Sequence, residues 1–312
     1  MFWRPKQQRG ERSVMAMRLV AVQMRIETHD YRSVEAFRER VFGVMRAIRQ
    51  RVPKEPVLVV FPEDVGLGLV FTQDYERVRT SKTMVEAGFR LMEKYRPQPP
   101  DSEETVSFPM MVRRLLITLS PFVERVYHQV FSEAAKQFQA WVVGGSAPIA
   151  QGECVYNVCY TYNPAGERVL IQRKINLVPL EQELGLNLCS APRELPVVET
   201  PAGKLGVLIC LDGFQHDLLA QLVRQGARLV AMPSFNPLPW TPEQAQGWEA
   251  GLWEGVQKHR GVIGINPMGV GQLFDVMAEG RSSIVAHRSE TPDKSGYLCR
   301  AQTKDQEEIL VW

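Results

Sequence analysis

Eight short apolar runs, each five to seven residues long and rich in β-branched side chains, punctuate this chain. They are Arg18–Gln23, Val57–Phe61, Ala140–Gly144, Asn157–Tyr162, Lys204–Cys210, Ala227–Met232, Gly261–Ile265 and Ser282–Ala286. Runs of this length and composition read as buried strands. Between several of them the apolar spacing turns helical. Val34, Phe37, Val41, Val44, Met45 and Ile48 line one face of a helix over Ser33–Arg51. Helices are also expected over Ser132–Gln139, over Asp217–Gln225, and as one long element over Thr241–Arg260, opened by a Thr-Pro cap. Strands alternating with helices restrict the chain to an α/β architecture. The stretch NVCYTYNPAGERVLIQRK adds two strands joined by a tight turn, so the sheet is expected to be mixed.

Charge and cysteine usage narrow the function. With 37 Lys+Arg against 35 Asp+Glu in 312 residues, the chain carries no general basic field for nucleic acid. No run of 18 apolar residues occurs, so no transmembrane helix is expected, and no secretory signal follows the basic residues 1–14, which read as a loose arm. The five cysteines, at 154, 159, 189, 210 and 299, form no Cys-x-x-Cys. Neither a metal site nor another cofactor is indicated, and five free thiols in a cytoplasmic, reducing setting are expected. Residues 15–312 read as one domain interrupted at about 75–131. That interruption holds a Pro-rich break and then two amphipathic helices separated at Ser120-Pro121. It reads as a helical pair packed on the domain, as a lid, or as a surface meeting a membrane or partner.

Three residues at strand ends carry the chemistry. Cys210 closes the run KLGVLIC at a turn into a helix, where free N–H groups are expected to stabilise a thiolate. Glu63 follows VLVVF. Lys174 follows the second strand of the hairpin. A thiol, a carboxylate and an ammonium make a set for acyl transfer: Glu63 as base, Cys210 as nucleophile, Lys174 and the Leu211 N–H as oxyanion donors. No Gly-x-Ser-x-Gly is present, and none of the five histidines stands near a plausible serine nucleophile. His216, six residues past Cys210, reads as a first-turn helix residue. Asn236 and Trp240 follow the strand at Ala227–Met232 and are candidates for the pocket. Packing is the preferred reading for Trp240, while Trp248 and Trp253 read as core or interface aromatics.

These segments resemble the nitrilase superfamily of carbon–nitrogen hydrolases. The matches are VVFPE at Glu63, VVGGS at 142–146, RKINLVP at Lys174, GVLICLDGF at Cys210, PSFNP at 233–237, INPMG at 265–269 and GRSSIV at 280–285. The resemblance implies a four-layer α-β-β-α sandwich with two mixed β-sheets, here enlarged by the helical insertion. It implies association of outer helices into a homodimer or higher homo-oligomer. It also implies a second glutamate near the lysine, with Glu181 preferred over Glu183. The chain departs from the family at Asn176, where a histidine is frequent, and at the segment FQHD after Asp212-Gly213. The latter points to an amidase rather than a nitrilase. The expected activity is cysteine-dependent hydrolysis of a small linear amide. The alternatives are an acyltransferase using the same thioester and a catalytically silent binding protein.

Overall fold

The computed structural model describes residues 17–95, 107–182 and 185–312. The expected arm at 1–14 lies outside them. The strands of the first half are β1 (Arg18–Gln23), β2 (Arg25–Glu27), β3 (Val57–Val60), β4 (Trp141–Val143), β5 (Ala147–Gln151), β6 (Cys154–Tyr162) and β7 (Arg168–Arg173). Those of the second half are β8 (Val197–Thr200), β9 (Gly203–Val207), β10 (Ala227–Ala231), β11 (Ser234–Phe235), β12 (Ile263–Asn266), β13 (Met268–Leu273), β14 (Val276–Ala278), β15 (Ser283–Val285), β16 (Tyr297–Arg300) and β17 (Glu308–Val311). The helices are α1 (Val34–Arg51), α2 (Tyr75–Val78), α3 (Met84–Tyr95), α4 (Phe108–Gln137), α5 (His216–Arg224), α6 (Pro242–Glu249) and α7 (Leu252–Val256).

Two mixed sheets form the body. In one, β17, β1, β3, β4 and β6 lie side by side, with β5 and β7 also paired to β6. In the other the order is β16-β15-β12-β10-β9-β8. Their centres, β1-β3-β4 and β12-β10-β9, are parallel, as buried strands linked by crossovers should be. A small third sheet of β2, β11, β13 and β14, not foreseen from the sequence, lies beside them.

Side-chain parity sorts the core into layers. Leu19, Ala21, Leu58 and Val60 of one sheet meet Leu205, Val207, Leu229 and Ala231 of the other in a single apolar layer. The opposite parity of the first sheet, Val20, Val22, Val57 and Val59, packs against α1 and α4. That of the second, with Leu208 and Val230, packs against Leu218, Leu219 and Leu222 of α5 and Leu252 and Val256 of α7. The four-layer α-β-β-α arrangement is therefore present.

Two helical expectations are corrected. The break at Ser120-Pro121 does not occur: α4 runs unbroken through Pro121 for 30 residues and absorbs the helix expected at Ser132–Gln139. Eleven buried residues, among them Leu115, Leu119, Val123 and Val130, hold it to the sheet on one face. Pro121 sits on the opposite, exposed face, where water can take the carbonyl its missing N–H leaves free. Conversely, the single helix expected over Thr241–Arg260 is two, α6 and α7, interrupted at Ala250–Gly251. A Cβ at Gly251 would stand 3.1 Å from the Phe214 ring, so glycine lets the chain pass. His216 Nε2 lies 2.9 Å from the Ala250 carbonyl and 3.3 Å from that of Gly251, while Lys258 Nζ lies 2.7 Å from its Nδ1. The ring is thus an Nε2–H donor that satisfies the freed carbonyls. Trp248 packs on Phe214 and Trp240, and Trp253 on Tyr297, consistent with packing roles.

Pro121 leads to a stability prediction. Pro121→Ala should restore one helical hydrogen bond and raise the unfolding free energy by about 1–3 kcal/mol. Urea denaturation followed by circular dichroism measures this; an unchanged or lower midpoint would contradict it.

Candidate active site

The Glu63 loop is held where the parallel strands end. Phe61 N–H donates to the Val143 carbonyl (2.9 Å) and Gly66 N–H to that of Ser146 (2.9 Å). Gly145 has φ of +71°, and a Cβ there would sit 2.0 Å from the Pro62 carbonyl oxygen, so only glycine lets the two loops close this far. Asp64, in left-handed conformation with φ of +59°, donates its N–H to Ser146 Oγ at 3.0 Å.

Lys174 leaves the β6–β7 hairpin with its N–H on the Asn157 carbonyl (2.9 Å). Its side chain is 1% exposed and lies between two carboxylates. Nζ is 2.7 Å from Glu63 Oε1 and 2.6 Å from Glu181 Oε2. Glu181 belongs to the turn Pro179–Glu181, and the Val178 N–H donates to its Oε2 at 3.0 Å. Glu183 lies outside the described residues.

Cys210 follows β9, and its N–H donates to the Pro233 carbonyl at 2.9 Å. Its φ is +47°, a conformation that costs a β-carbon-bearing residue about 1–3 kcal/mol and persists where surrounding structure enforces it. The thiol, 6% exposed, reaches the Phe235 carbonyl at 3.8 Å. The Phe235 N–H in turn donates to Glu63 Oε2 at 3.1 Å. One backbone unit thus bridges the thiol and the carboxylate. The Leu211 N–H is the next amide in the short turn Cys210–Phe214, whose leading N–H groups lack partners within the turn.

Asp212 fastens this turn to the lysine segment. Its carboxylate accepts from the Ile175 N–H (3.1 Å), the Asn176 N–H (2.7 Å) and Asn176 Nδ2 (2.8 Å). The departure at Asn176 therefore has a job: two of those three donors are its own.

The structure thus brings Glu63, Lys174, Glu181 and Cys210 together. Asn236 stands one residue beyond Phe235. Its Nδ2 donates to the carbonyls of Leu238 (2.8 Å) and Glu279 (3.0 Å), and its Oδ1 accepts from Gln244 (3.0 Å). Its amide is engaged in holding this loop. Sequence reading missed Asn157, whose Nδ2 donates to Glu63 Oε1 (3.0 Å) and Glu181 Oε1 (2.9 Å) at once. A signal existed. In the hairpin register Val158 faces Arg173, which puts Asn157 opposite Lys174.

Burial sets the charge states. Lys174 loses solvation, but the charges of Glu63, Cys210 and Glu181 outweigh that and hold its ammonium well above the ordinary value. Burial pushes Glu63 up to about 7; Lys174 opposes the rise, and Glu181 adds to it. Two carboxylates share one ammonium in a low dielectric, so the last proton stays on until near neutrality. For Cys210, burial and the Glu63 charge raise the thiol well above its ordinary value against the pull of Lys174. This corrects the expectation of a resting thiolate: the five-residue turn supplies little dipole to offset the loss of water.

The five-thiol expectation is corrected as well. Cys154 and Cys189 are joined in a disulfide, with Cα atoms 5.7 Å apart, leaving Cys159, Cys210 and Cys299 free. Among the described residues no cluster of three or more potential metal ligands occurs, and no helix is long and apolar enough to cross a membrane.

Comparison with known proteins agrees with this geometry. The carbon-nitrogen hydrolase family model matches residues 19–286, and the chain belongs to that family. The omega-amidase NIT2 of Danio rerio is 28% identical over 178 residues, 54% of this chain and 61% of that protein. The chloroplastic omega-amidase of Arabidopsis thaliana is 30% identical over 121 residues, 36% of this chain and 33% of the relative. The matches thus span less than two thirds of these relatives' lengths. Among solved structures, Nit3 of Saccharomyces cerevisiae superposes with a TM-score of 0.62 at 17% identity, covering 95% of this chain and 89% of its own. An amidase from Nesterenkonia sp. superposes at 0.63 with 16% identity, covering 95% and 89%. At those identities the likeness is one of fold.

The Glu63 shift gives a pH prediction. A carboxyl raised from 4.5 in the unfolded chain to about 7 when folded contributes stability below pH 4.5 that is lost as pH rises through 7, because the folded state holds the proton longer. Glu63→Gln should remove this part of the slope. Unfolding free energies of the two proteins between pH 4.5 and 7 check it; parallel curves would refute it.

Proposed function

We propose that this protein hydrolyses a small, non-peptide amide through a thioester on Cys210. The observation that carries the reading is the buried Lys174, 2.7 Å from Glu63 and 2.6 Å from Glu181, with the Cys210 thiol beside them. Glu63 takes the thiol proton as the sulfur attacks the amide carbon, and the carbonyl π-electrons move onto oxygen. Lys174 Nζ and the Leu211 N–H receive that oxyanion. The tetrahedral adduct collapses, the C–N bond breaks, and the proton on Glu63 passes to the leaving nitrogen. Water then attacks the thioester with Glu63 again as base, releasing the carboxylic acid and returning the proton to sulfur. A base titrating near 7 is matched to this double duty at neutral pH.

Glu181 holds Lys174 on the side away from Glu63, and Asn157 keeps the two carboxylates apart at fixed spacing. Relatives named omega-amidases favour a terminal amide over a nitrile as the substrate. The Nesterenkonia amidase, whose active-site cysteine takes up the acetamide moiety of fluoroacetamide, supports the same class.

Cys210→Ala should lower ammonia release from a panel of short aliphatic amides by at least about 10⁴-fold, and Glu63→Gln by about 10²–10⁴-fold. A Cys210→Ala protein that retained wild-type rates would remove the nucleophile. A homodimer through the outer helices belongs to this reading. Sedimentation should give about twice the 35.4 kDa chain mass, and a monomer at micromolar concentration would exclude it.

A further inference from the structure

We infer that the insertion is part of the catalytic machinery, with Arg113 and Asn187 as positioning residues that fix Glu181. The inference rests on the thiol chemistry proposed above and assigns a role to a segment which that chemistry does not use.

The contacts run in one direction, from α4 to Glu181. Arg113 Nε donates to the Asn187 carbonyl (2.7 Å) and its Nη2 to Asn187 Oδ1 (2.8 Å). Asn187 Nδ2 returns a bond to the Pro109 carbonyl (2.9 Å), so guanidinium and amide clasp from both ends of the first helical turn. Asn187 is buried with φ of +52°, a conformation asparagine tolerates better than most residues. The backbone around Asn187 then grips the turn that carries the glutamate. Asn187 N–H donates to the Gln182 carbonyl (2.9 Å), Leu188 N–H to the Glu181 carbonyl (2.7 Å), and Leu186 N–H to that of Leu180 (2.9 Å). On the far side, Cys189 is tied to β6 by its disulfide to Cys154 and by its N–H on the Val155 carbonyl at 2.8 Å.

Glu181 therefore hangs from two fasteners. One is the disulfide to the strand that bears Asn157. The other is a fork from the insertion. A planar guanidinium engaging one residue through two atoms fixes orientation as well as distance, which a lone ammonium would not. Without the fork the turn keeps one anchor, and the Glu181 carboxylate is free to draw back from Lys174.

Such withdrawal has an electrostatic signature. The groups facing the thiol are Glu63 and Lys174, with Glu181, Asp64 and Asp212 behind them. Moving Glu181 away removes one anion and leaves more of the ammonium charge to a thiolate. The thiol then ionises at lower pH.

The test uses iodoacetamide on the full chain, with alkylation of Cys210 followed by peptide mass spectrometry across pH. Glu181→Gln sets the size of the displacement, a shift of roughly 1 pH unit toward acid. Arg113→Met should shift the midpoint in the same direction, Arg113→Lys less, and Asn187→Gly, which keeps the backbone conformation, as much as Arg113→Met. Hydrogen exchange of residues 185–190 should quicken about tenfold or more in Arg113→Met. A wild-type midpoint in both Arg113→Met and Asn187→Gly overturns the proposal, whatever the exchange shows. If wild-type Cys210 alkylates no faster than Cys159 and Cys299, the thiol chemistry itself fails. The exchange arm still decides whether Arg113 fixes the turn, and unchanged protection overturns that.

Discussion

A buried ammonium between two carboxylates is the interaction on which the rest of this structure depends. Lys174 is 1% exposed, and Glu63 and Glu181 are nearly as enclosed. Isolated, any one of these charges would be expelled to solvent or neutralised. Together they persist because each oxygen and each proton is directed. Lys174 supplies two bonds, Asn157 two more, and the backbone N–H groups of Phe235 and Val178 one each. Removing one partner of such a set leaves a buried charge uncompensated, typically a loss of about 3–5 kcal/mol. Such geometry therefore demands rigid support, and the fold supplies it from five directions. Glu63 comes from the end of a parallel strand, Lys174 and Asn157 from a hairpin, Phe235 from the neighbouring sheet and Glu181 from a turn clasped by α4.

That dependence explains which parts were legible in the sequence. Strand ends are marked locally, by apolar runs that stop at a charged or reactive residue, so Glu63, Lys174 and Cys210 could be singled out and their order matched to a family. The α1 helix and its Ser33 cap, whose side chain accepts from the Ala36 N–H, were equally local. Partners brought in from far along the chain were not. Asn157 looked like one polar residue in a strand until the hairpin register placed it opposite Lys174. Cys154 and Cys189, 35 residues apart, carry no spacing signal. Arg113 and Asn187 are 74 residues apart, and nothing local ties one to the other.

Two helix boundaries failed for a related reason. Pro121 and Gly251 were weighed by their intrinsic effects, and tertiary contacts reversed both. At Pro121, the apolar face of α4 outweighs one lost hydrogen bond on the solvent side. At Gly251, the Phe214 ring and the His216 imidazole impose a break where the capped pattern read as continuous. His216 itself belonged to the segment that departs most from the family, and its place at that break gives the departure a structural role.

Charge conservation connects the cluster to the thiol. With Lys174 protonated and both glutamates ionised, the buried set carries one net negative charge. Adding a resting thiolate would bring it to two negative charges behind a wall of apolar strands, which is why burial and Glu63 together raise Cys210. In the proposed chemistry the difficulty disappears, because moving the proton from sulfur to Glu63 leaves the net charge unchanged. The same reasoning separates the two glutamates. Both touch Lys174, but the Phe235 peptide unit joins only Glu63 to the thiol, accepting from Cys210 through its carbonyl and donating to Glu63 through its N–H. Glu181 is turned toward Val178 and the α4 clasp instead. A proton acceptor must sit next to its donor and titrate near the working pH. A charge that merely holds the lysine must sit away from both. The backbone fixes that division of labour before any substrate arrives.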